Sequence, residues 1–505
     1  MIFLLISIMR KLITGAQMLE ADLDCLRANN ITSIDLMEKA ALAFSGVLCG
    51  LVPEKSQPIL IVCGTGNNGG DGLAIARILQ CTGYSCIRVL IVHTGSKESP
   101  DFLINLQRLR DTPVLVNYFN DGSSIDISEN IIVDAILGSG VDRPIGGDLL
   151  RLVKAINQSQ KRVIAVDCPS GFPSDGEFKE DEEVLKAWDV VSFQRPKLNF
   201  FFPESVRFLR HFHVVDIGLR EEFIESLTSN LHNIENADIT RIYKKRQSFS
   251  HKGTFGHAYL YAGSQGKSGA ALLCAEACVY SGAGLTSVGL PENDRVALHA
   301  RLPEAMYMDC EAVWESEVWS KFSAIALGPG LGETPLYIEP IILHAKVPLV
   351  IDADALNFLA KNPHLLSHFR IGKKTAILTP HMKEFDRLFG KSESWWARLQ
   401  LAIAKAKEFG ITIILKNRYT FIVLANGRVL INPTGNPAMA SGGMGDVLTG
   451  IIVSFLAQGY NVEEASILAC YIHGRAGDLL ATAGNAVIPA SRLIAKIPFV
   501  IGEIE

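Results

Sequence analysis

The sequence predicts two α/β domains in series, each a mostly parallel sheet with helices laid against it. Three observations predict this. Apolar runs of strand length alternate with stretches of helical period along most of the chain, the pattern that builds parallel sheets through crossover helices. Between Glu221 and Lys245 the strand pattern stops, the polar stretch TSNLHNIENADITRIYKKR takes over, and the alternation then begins afresh. At 505 residues, 48% hydrophobic and 20% charged, the chain is ordinary globular material but too long for one typical domain. The expected division is a first domain at 9–225, a linker at 226–240 and a second domain at 241–505.

The net charge of -5 excludes a basic nucleic-acid or anionic-membrane surface, so any phosphorylated ligand must be held by local loops. The ten cysteines include no CxxC pair; Cys274 and Cys278 lie one helical turn apart without a second pair, so buried reduced thiols and a cytoplasmic location are expected rather than zinc. The N-terminal MIFLLISIMRK is too short to span a bilayer and has no positive region before its apolar run. Translation is expected to start at Met9, with residues 1–8 an extension or a disordered tail.

In chain order, Met18, Leu19, Leu23 and Leu26, then Leu36, Met37, Ala40, Ala41 and Phe44, recur at helical spacing. NNITS between the two sets suits the cap of a second helix. PILIVC then reads as a buried strand, GTGNNGGDG as a loop and LAIARILQ as a helix; CIRVLIV, NIIVDAIL, RVIAVDC, DVVSFQ and RHFHVVDIG are further strands. In such sheets ligands gather at the carboxyl ends of the strands.

Gly64–Gly69 fits G-x-G-x-x-G between a strand and a helix, but CIRVLIVHTG ends without the acidic residue that would hold a ribose. Asn67, Asn68 and Asp71 crowd the loop with oxygen ligands instead, which makes a nicotinamide dehydrogenase improbable. Asp134, Asp167 and Lys197 stand at other strand ends. Each alone suits an Asx turn or a solvated lysine. Together at one sheet edge they suit proton transfer by a carboxylate near a lysine, with Asn68, Asp134 and Ser170 able to hold a monovalent cation through oxygens.

In the second half, HAYLYAG, GLTSVGL, SAIALGPGLG, PLVIDADAL, TAILTP, ITIILKN, TFIVLANG and RVLIN read as strands, and AALLCAEACVYSGAG and ASILACYIHGRAGDLLA as helices. NPAMASGGMGDVLTG leads a glycine-rich loop into an apolar helix, where uncovered amides and the helix dipole form an anion cradle. Asp446 at that helix start is either an N-cap or a general base for a hydroxyl about to meet a phosphoryl group. YAGSQGKSGAA and Gly328–Gly332 are two more glycine-rich strand ends, which makes a nucleotide cleft the better reading than isolated turns. Asp352, Asp354, His381 and Glu384 also lie at strand ends, and Lys416–Thr420 follows an apolar strand with groups suited to phosphate.

MRKLITGAQM, DLMEKAA, GTGNNGGDG, VDAILGSGVDRP, VDCPSG and RPKLN together resemble the NAD(P)H-hydrate epimerase domain over roughly residues 9–220. The resemblance implies that Asn67, Asn68, Gly69, Gly70 and Asp71, with Gly138, Ser139, Gly140, Val141, Asp142, Arg143 and Pro144, bind the hydrated nucleotide. It further implies that Asp167 is catalytic and contacts the reacting ligand, and that Asn68, Asp134 and Ser170 bind potassium. From about residue 241 onward, HKGTFGHAYLYAGS, GPGLG, DADAL, TPHMKE, KNRYT and GNPAMASGGMGDVLTG resemble the ribokinase-like NAD(P)H-hydrate dehydratase domain. There Ala270, Gly330, His381 and Asp446 are expected to touch the hydrate, with Asp446 catalytic. Lys416, Asn417, Arg418, Tyr419, Thr420 and Gly445 are expected to touch the adenine nucleotide. Asn199, Asn417 and Met444 depart from the family's usual glycine, glycine and Thr or Ser.

The resemblance therefore implies a Rossmann-like three-layer α/β/α domain followed by a ribokinase-like α/β/α domain, in a bifunctional NAD(P)H-hydrate repair enzyme. Such an enzyme epimerises R- and S-NADHX and NADPHX and dehydrates the S epimer at the expense of ADP, used with Mg2+ and converted to AMP and phosphate. Its partners are small molecules only, with no nucleic acid and no membrane, and a homo-oligomer is expected. Two rivals stand beside this reading: a ribokinase-like kinase of vitamin-precursor type, and a first domain that only binds a partner.

Overall fold

A computed structural model describes residues 9–93, 97–119, 125–140, 144–179, 182–309, 318–333 and 335–505; the expectation for residues 1–8 lies outside them. The chain forms two compact units. One, the N-terminal unit, comprises Leu12–Ser229 with Ser394–Trp396; the other, the C-terminal unit, comprises Asn230–Glu393 and Ala397–Glu505 together with the segment ending at Lys11.

In the N-terminal unit, seven parallel strands lie in the order Leu115–Phe119, Ile87–Val92, Ile59–Cys63, Ile131–Ala135, Arg162–Val166, Ala187–Phe193 and Leu209–Val215. Both faces are buried, because alternate side chains of a strand point to opposite sides: Ile59, Ile61 and Cys63 join one core with Phe44, Leu73 and Ile75, whereas Leu60 and Val62 join another with Leu152, Val153 and Phe200. This is a three-layer, Rossmann-like arrangement. The strand order reverses between Ile59–Cys63 and Ile131–Ala135, whose carboxyl ends are in register at Cys63 and Ala135. Ligands enter such sheets at that point. The two expected N-terminal helices are Gly15–Asn29 and Ser33–Leu51. Thr32, in NNITS, caps the second: its N–H donates to Asp35 at 2.9 Å, a capping box.

The C-terminal unit is built on an eleven-stranded sheet. Seven strands are parallel: Thr412–Leu415, Ala376–Leu378, Leu349–Ile351, Ala324–Leu327, His257–Tyr261, Leu285–Gly289 and Met306–Met308. Beyond Thr412–Leu415 come Thr420–Val423 and Val429–Asn432, each antiparallel to its predecessor, then Leu231–Asn233 and finally Arg10–Lys11. Helices Ser268–Tyr280, Met444–Ala457, Val462–Thr482 and Ala490–Ile504 share one core with Ala324, Ala326 and Ile377 of the sheet. Ile325, Leu327 and Leu378, which alternate with these, are buried too, so both faces are covered.

Four strands depart from the sequence expectation. Leu115–Phe119, LVNYF, is an edge strand with three exposed residues of five, and Asn117 interrupts its apolar residues. Met306–Met308, Leu231–Asn233 and Arg10–Lys11 are too short to show a period. The stretch in which the strand pattern was expected to stop carries helix Glu221–Ser226, strand Leu231–Asn233 and helix Asn236–Ile242. Among the described residues no helix is long and apolar enough to cross a membrane.

Candidate active sites

At the switch point of the N-terminal unit lies a cavity of about 790 Å³ lined by Gly66, Asn67, Asn68, Asp71, Leu137, Gly138, Ser139, Gly140 and Asp167. The loop after Ile59–Cys63 turns directly into helix Asn67–Cys81, which starts at Gly66 with no side-chain cap. Its first turn thus presents free amides. Gly69 is required by contact: a β-carbon there would sit 1.8 Å from the Gly64 carbonyl oxygen. Val141, Asp142 and Arg143 lie outside the described residues, and Pro144 is exposed.

Asp167 follows strand Arg162–Val166 in a left-handed conformation, φ 61°. Its Oδ1 accepts from Lys197 Nζ at 2.7 Å, from the Phe193 N–H at 3.1 Å and from the Ser192 hydroxyl at 3.4 Å. Lys197 is buried. Asn199 leaves this ion pair intact and instead donates to the Pro173 and Gly176 carbonyls at 2.9 and 3.2 Å. On the next strand, fully buried Asp134 accepts from the Ser170 N–H at 2.8 Å and from its hydroxyl at 2.6 Å. Burial pushes its carboxyl up to about 6 against those bonds. Asn68 Nδ2 is buried without a partner, and its β-carbon lies 3.6 Å from where one would sit on Gly138. Asp71 is pushed well above the carboxylate range by burial, then by Asp167, Asp22 and Asp101.

Six loops of the C-terminal unit carry the expected residues. Helix Met444–Ala457 starts after Gly443, φ 88°, and has no side-chain cap. Asp446 is its third residue, so the structure removes the capping reading and leaves a carboxyl inside the first turn, among the free amides. A β-carbon on Gly445 would lie 3.2 Å from Lys416 Nζ and 3.6 Å from Asp352 Oδ2. Lys416 Nζ donates to Asp352 Oδ1 at 2.8 Å, and Thr449 Oγ1 to Asp352 Oδ2 at 2.8 Å. Asp352 is buried; burial would raise its carboxyl, but Lys416 and the hydroxyl bonds hold it below the ordinary value. Asp446 is pushed up to about 7, by burial first and Asp352 next, with Lys416 opposing.

Gly330 packs on the other glycine loop, a β-carbon there falling 3.0 Å from Ala270 Cβ, and its carbonyl accepts from Ser264 Oγ at 2.8 Å. Asp354 accepts from the Gly332 N–H at 2.8 Å. His381 caps helix Met382–Phe389: its Nδ1 accepts from the Lys383 and Glu384 amides at 3.1 and 3.3 Å, which leaves the proton on Nε2. Asn417, Arg418 and Tyr419 form the turn between Thr412–Leu415 and Thr420–Val423, with the Arg418 guanidinium over the Tyr419 ring at 4.5 Å.

The structure thus brings Ala270 to Gly330 and Gly445 and Asp446 to Lys416. Two residues outside the expected site set emerge. Asp352 was visible only as one strand-end aspartate among several; its burial beneath the cradle is a product of the sheet. Asp22, on helix Gly15–Asn29, lines the N-terminal cavity; nothing in the sequence separates it from neighbouring Asp24.

The class is now defined: a two-unit α/β protein with a carboxylate-lined cavity at a Rossmann-like switch point and an uncapped, glycine-rich helix start on a mixed sheet. The family described as NAD(P)H-hydrate dehydratase matches residues 258–499, and that described as YjeF-related protein N-terminus matches residues 33–199. The bifunctional NAD(P)H-hydrate repair enzyme Nnr of Moorella thermoacetica is 31% identical over 98% of this chain and 97% of its own. The enzyme of that name from Vibrio cholerae is 32% identical over 92% and 93%. Among solved structures, the ADP/ATP-dependent NAD(P)H-hydrate dehydratase from Bacillus subtilis is 32% identical over 54% of this chain and 98% of that one, TM-score 0.46. This chain belongs to the bifunctional NAD(P)H-hydrate repair enzyme family. The NAD(P)H-hydrate dehydratase match falls on its C-terminal unit.

Proposed function

We propose that the N-terminal unit epimerises R- and S-NADHX and NADPHX, and that the C-terminal unit dehydrates the S epimer at the expense of ADP. The observation that carries this is the placement of Asp446 within the first turn of an uncapped helix, beside Gly445, on which a β-carbon would lie 3.2 Å from Lys416 Nζ. Asp446 accepts the hydrate's hydroxyl proton as the terminal phosphoryl group arrives, while the amides around Met444 and Gly445 and the Lys416 ammonium stabilise the spreading charge. AMP leaves, the ring nitrogen's electron pair expels phosphate from the neighbouring carbon, and loss of a proton from the next ring carbon restores the dihydronicotinamide. Ala270, Gly330 and His381 border the hydrate; Lys416–Thr420 and Gly445 hold the nucleotide. Asp354 and Glu384 are carboxylates of the type that holds a nucleotide's Mg2+.

In the first unit Asn67–Asp71, with Gly138, Ser139, Gly140 and Pro144, border the hydrated nucleotide, and Asp167 with Lys197 handles its proton. Asn68, Asp134 and Ser170 supply two neutral oxygen ligands and one carboxylate, which fits a potassium ion. The partnerless Asn68 Nδ2 supports this, since an interchanged amide would present its oxygen there. The ion would fix the glycine loops and offset the charge of Asp134. Buried Cys25, Cys63, Cys168, Cys274, Cys278 and Cys470 suit the reducing cytoplasm. A homo-oligomer is expected, to be read by sedimentation.

Recovery of NADH from a mixture of both epimers, with ADP, ATP or no nucleotide, in wild type and Asp446→Asn, tests the reading. Complete, nucleotide-dependent recovery that the variant loses is expected. Recovery stopping at one epimer would leave the first unit a binding module, and a stable phosphorylated product would make the second a kinase.

A further inference from the structure

We infer that Asp22 is a second proton-transfer carboxyl of the epimerisation site, acting on the hydroxyl of the hydrated ring carbon together with Asp167 and Lys197. The inference rests on the epimerase reading above. Helix Gly15–Asn29 turns Gly15, Met18, Leu19 and Asp22 toward the cavity, the i, i+3, i+4, i+7 face of one helix. Asp24, two residues on, faces elsewhere and pairs with Arg220 at 3.2 Å. Asp22 has no hydrogen-bond or ion-pair partner of its own among the described residues. A carboxyl that lines a cavity and holds up no part of the fold is available to a ligand.

The two carboxyls differ in what surrounds them. Three donors converge on Asp167 Oδ1, an acceptor's environment, whereas no donor among the described residues reaches the Asp22 carboxyl. Among the described residues the charged groups facing Asp22 are Asp167 and Lys197, with Asp71 and Asp175 on the same cavity wall. Burial first, then Asp167, push Asp22 up to about 6, Lys197 opposing. Both of its protonation states are therefore populated near neutral pH, as acid–base catalysis requires.

Epimerisation needs one proton delivered and one removed. The carbon–oxygen bond breaks, its electron pair leaving with the hydroxyl, which takes a proton from Asp22 and departs as water; the ring nitrogen's lone pair forms the C=N bond. Water then adds to the other face and passes its extra proton to a carboxylate. Protons and electrons balance without an oxidant, and the two carboxyls exchange roles for the opposite epimer.

The test follows epimerisation of the R hydrate without nucleotide, in the full chain, from pH 5 to 9. Asp22→Asn is expected to lower kcat by about 100-fold or more, to leave KM within about 3-fold, and to lose the pH limb that wild type shows. Asp22→Glu should recover a substantial part of kcat, and incorporation of oxygen from labelled water should fall in step with epimerisation. Unchanged kcat, or a change confined to KM, overturns the inference. Melting and ADP-dependent dehydration of the S hydrate report whether Asp22→Asn folds. Should it not fold, Asp22→Ala with added formate decides: restored epimerisation supports the role and no restoration overturns it. A wild type that epimerises neither hydrate overturns the epimerase reading itself, whereas an active wild type matched by Asp22→Asn overturns the role of Asp22 alone.

Discussion

Asp446 is placed where its chemistry and its contribution to stability oppose one another. Its folded carboxyl titrates at about 7 against 3.8 for the free group. In the role proposed for it Asp446 must be ionised, so dehydration by free enzyme is expected to rise with pH and level off above about 7, which the pH dependence of kcat/KM checks. The neighbours set the position of that limb with opposite signs. Asp352→Asn removes a negative charge and should move the limb to lower pH; Lys416→Met removes a positive one and should move it to higher pH. Each also breaks a buried pair, at a cost of about 3 kcal/mol read by denaturant melts. For stability, folded and unfolded chains both keep the Asp446 proton below pH 3.8, and between there and about 7 only the folded chain keeps it. Rising pH therefore weakens the fold across that window. At ~1.4 kcal/mol per unit the ceiling is about 4 kcal/mol. Asp446→Asn should thus melt like wild type at pH 3.5 but be more stable by about 1–4 kcal/mol at pH 8, inactive though it is. Asp446 was legible from GGMGD because the motif couples a carboxylate to a bare helix start. Asp22 was not, because only folding selects which aspartate of that helix meets a cavity.

At the scale of elements, the cradle depends on how closely its helix lies on Ser268–Tyr280. Gly450, two turns into Met444–Ala457, sets that approach: a β-carbon there would meet the Cys274 carbonyl oxygen at 2.2 Å and Ala277 Cβ at 2.9 Å. The first of these is backbone and cannot turn aside. Gly450→Ala must push the helices apart, an overpacking cost of about 1–3 kcal/mol that outweighs alanine's better helix propensity. Since Gly443–Asp446 rides on the same helix, dehydration should fall along with the melting temperature; a melt at or above that of wild type would show that the helices accommodate a methyl group. ILIVC and TIIL were legible as strands because each is a short, nearly continuous apolar run, buried at every position. Leu115–Phe119 is apolar at four of its five positions but does not alternate, and pairing with Ile87–Val92 along one edge is what makes it a strand.

At the scale of the whole molecule, the order of the chain and the composition of its two units do not coincide. Alternating strands and helices announced two sheets, but nothing in the residues signals that a segment ahead of the first sheet belongs to the second. Arg10 and Lys11 pair with Asn233 and His232, Arg10 reaches Glu235 at 3.3 Å, and Met9 is buried in one core with Ile234 and Ile239. A two-residue strand has no period, and one apolar residue has no pattern, so only the finished sheet reveals their place. The consequence is testable. A chain beginning at Leu12 keeps every residue of the N-terminal cavity and of the phosphate cradle, yet exposes the edge of Leu231–Asn233 and loses the burial of Met9, worth about 1.5–3 kcal/mol. The C-terminal unit of that truncated chain should therefore melt several degrees lower, with ADP-dependent dehydration lost at lower temperature than in a chain beginning at Met9 and epimerisation retained. Equal melting of the two chains would mean that the first residues decorate the sheet without stabilising it.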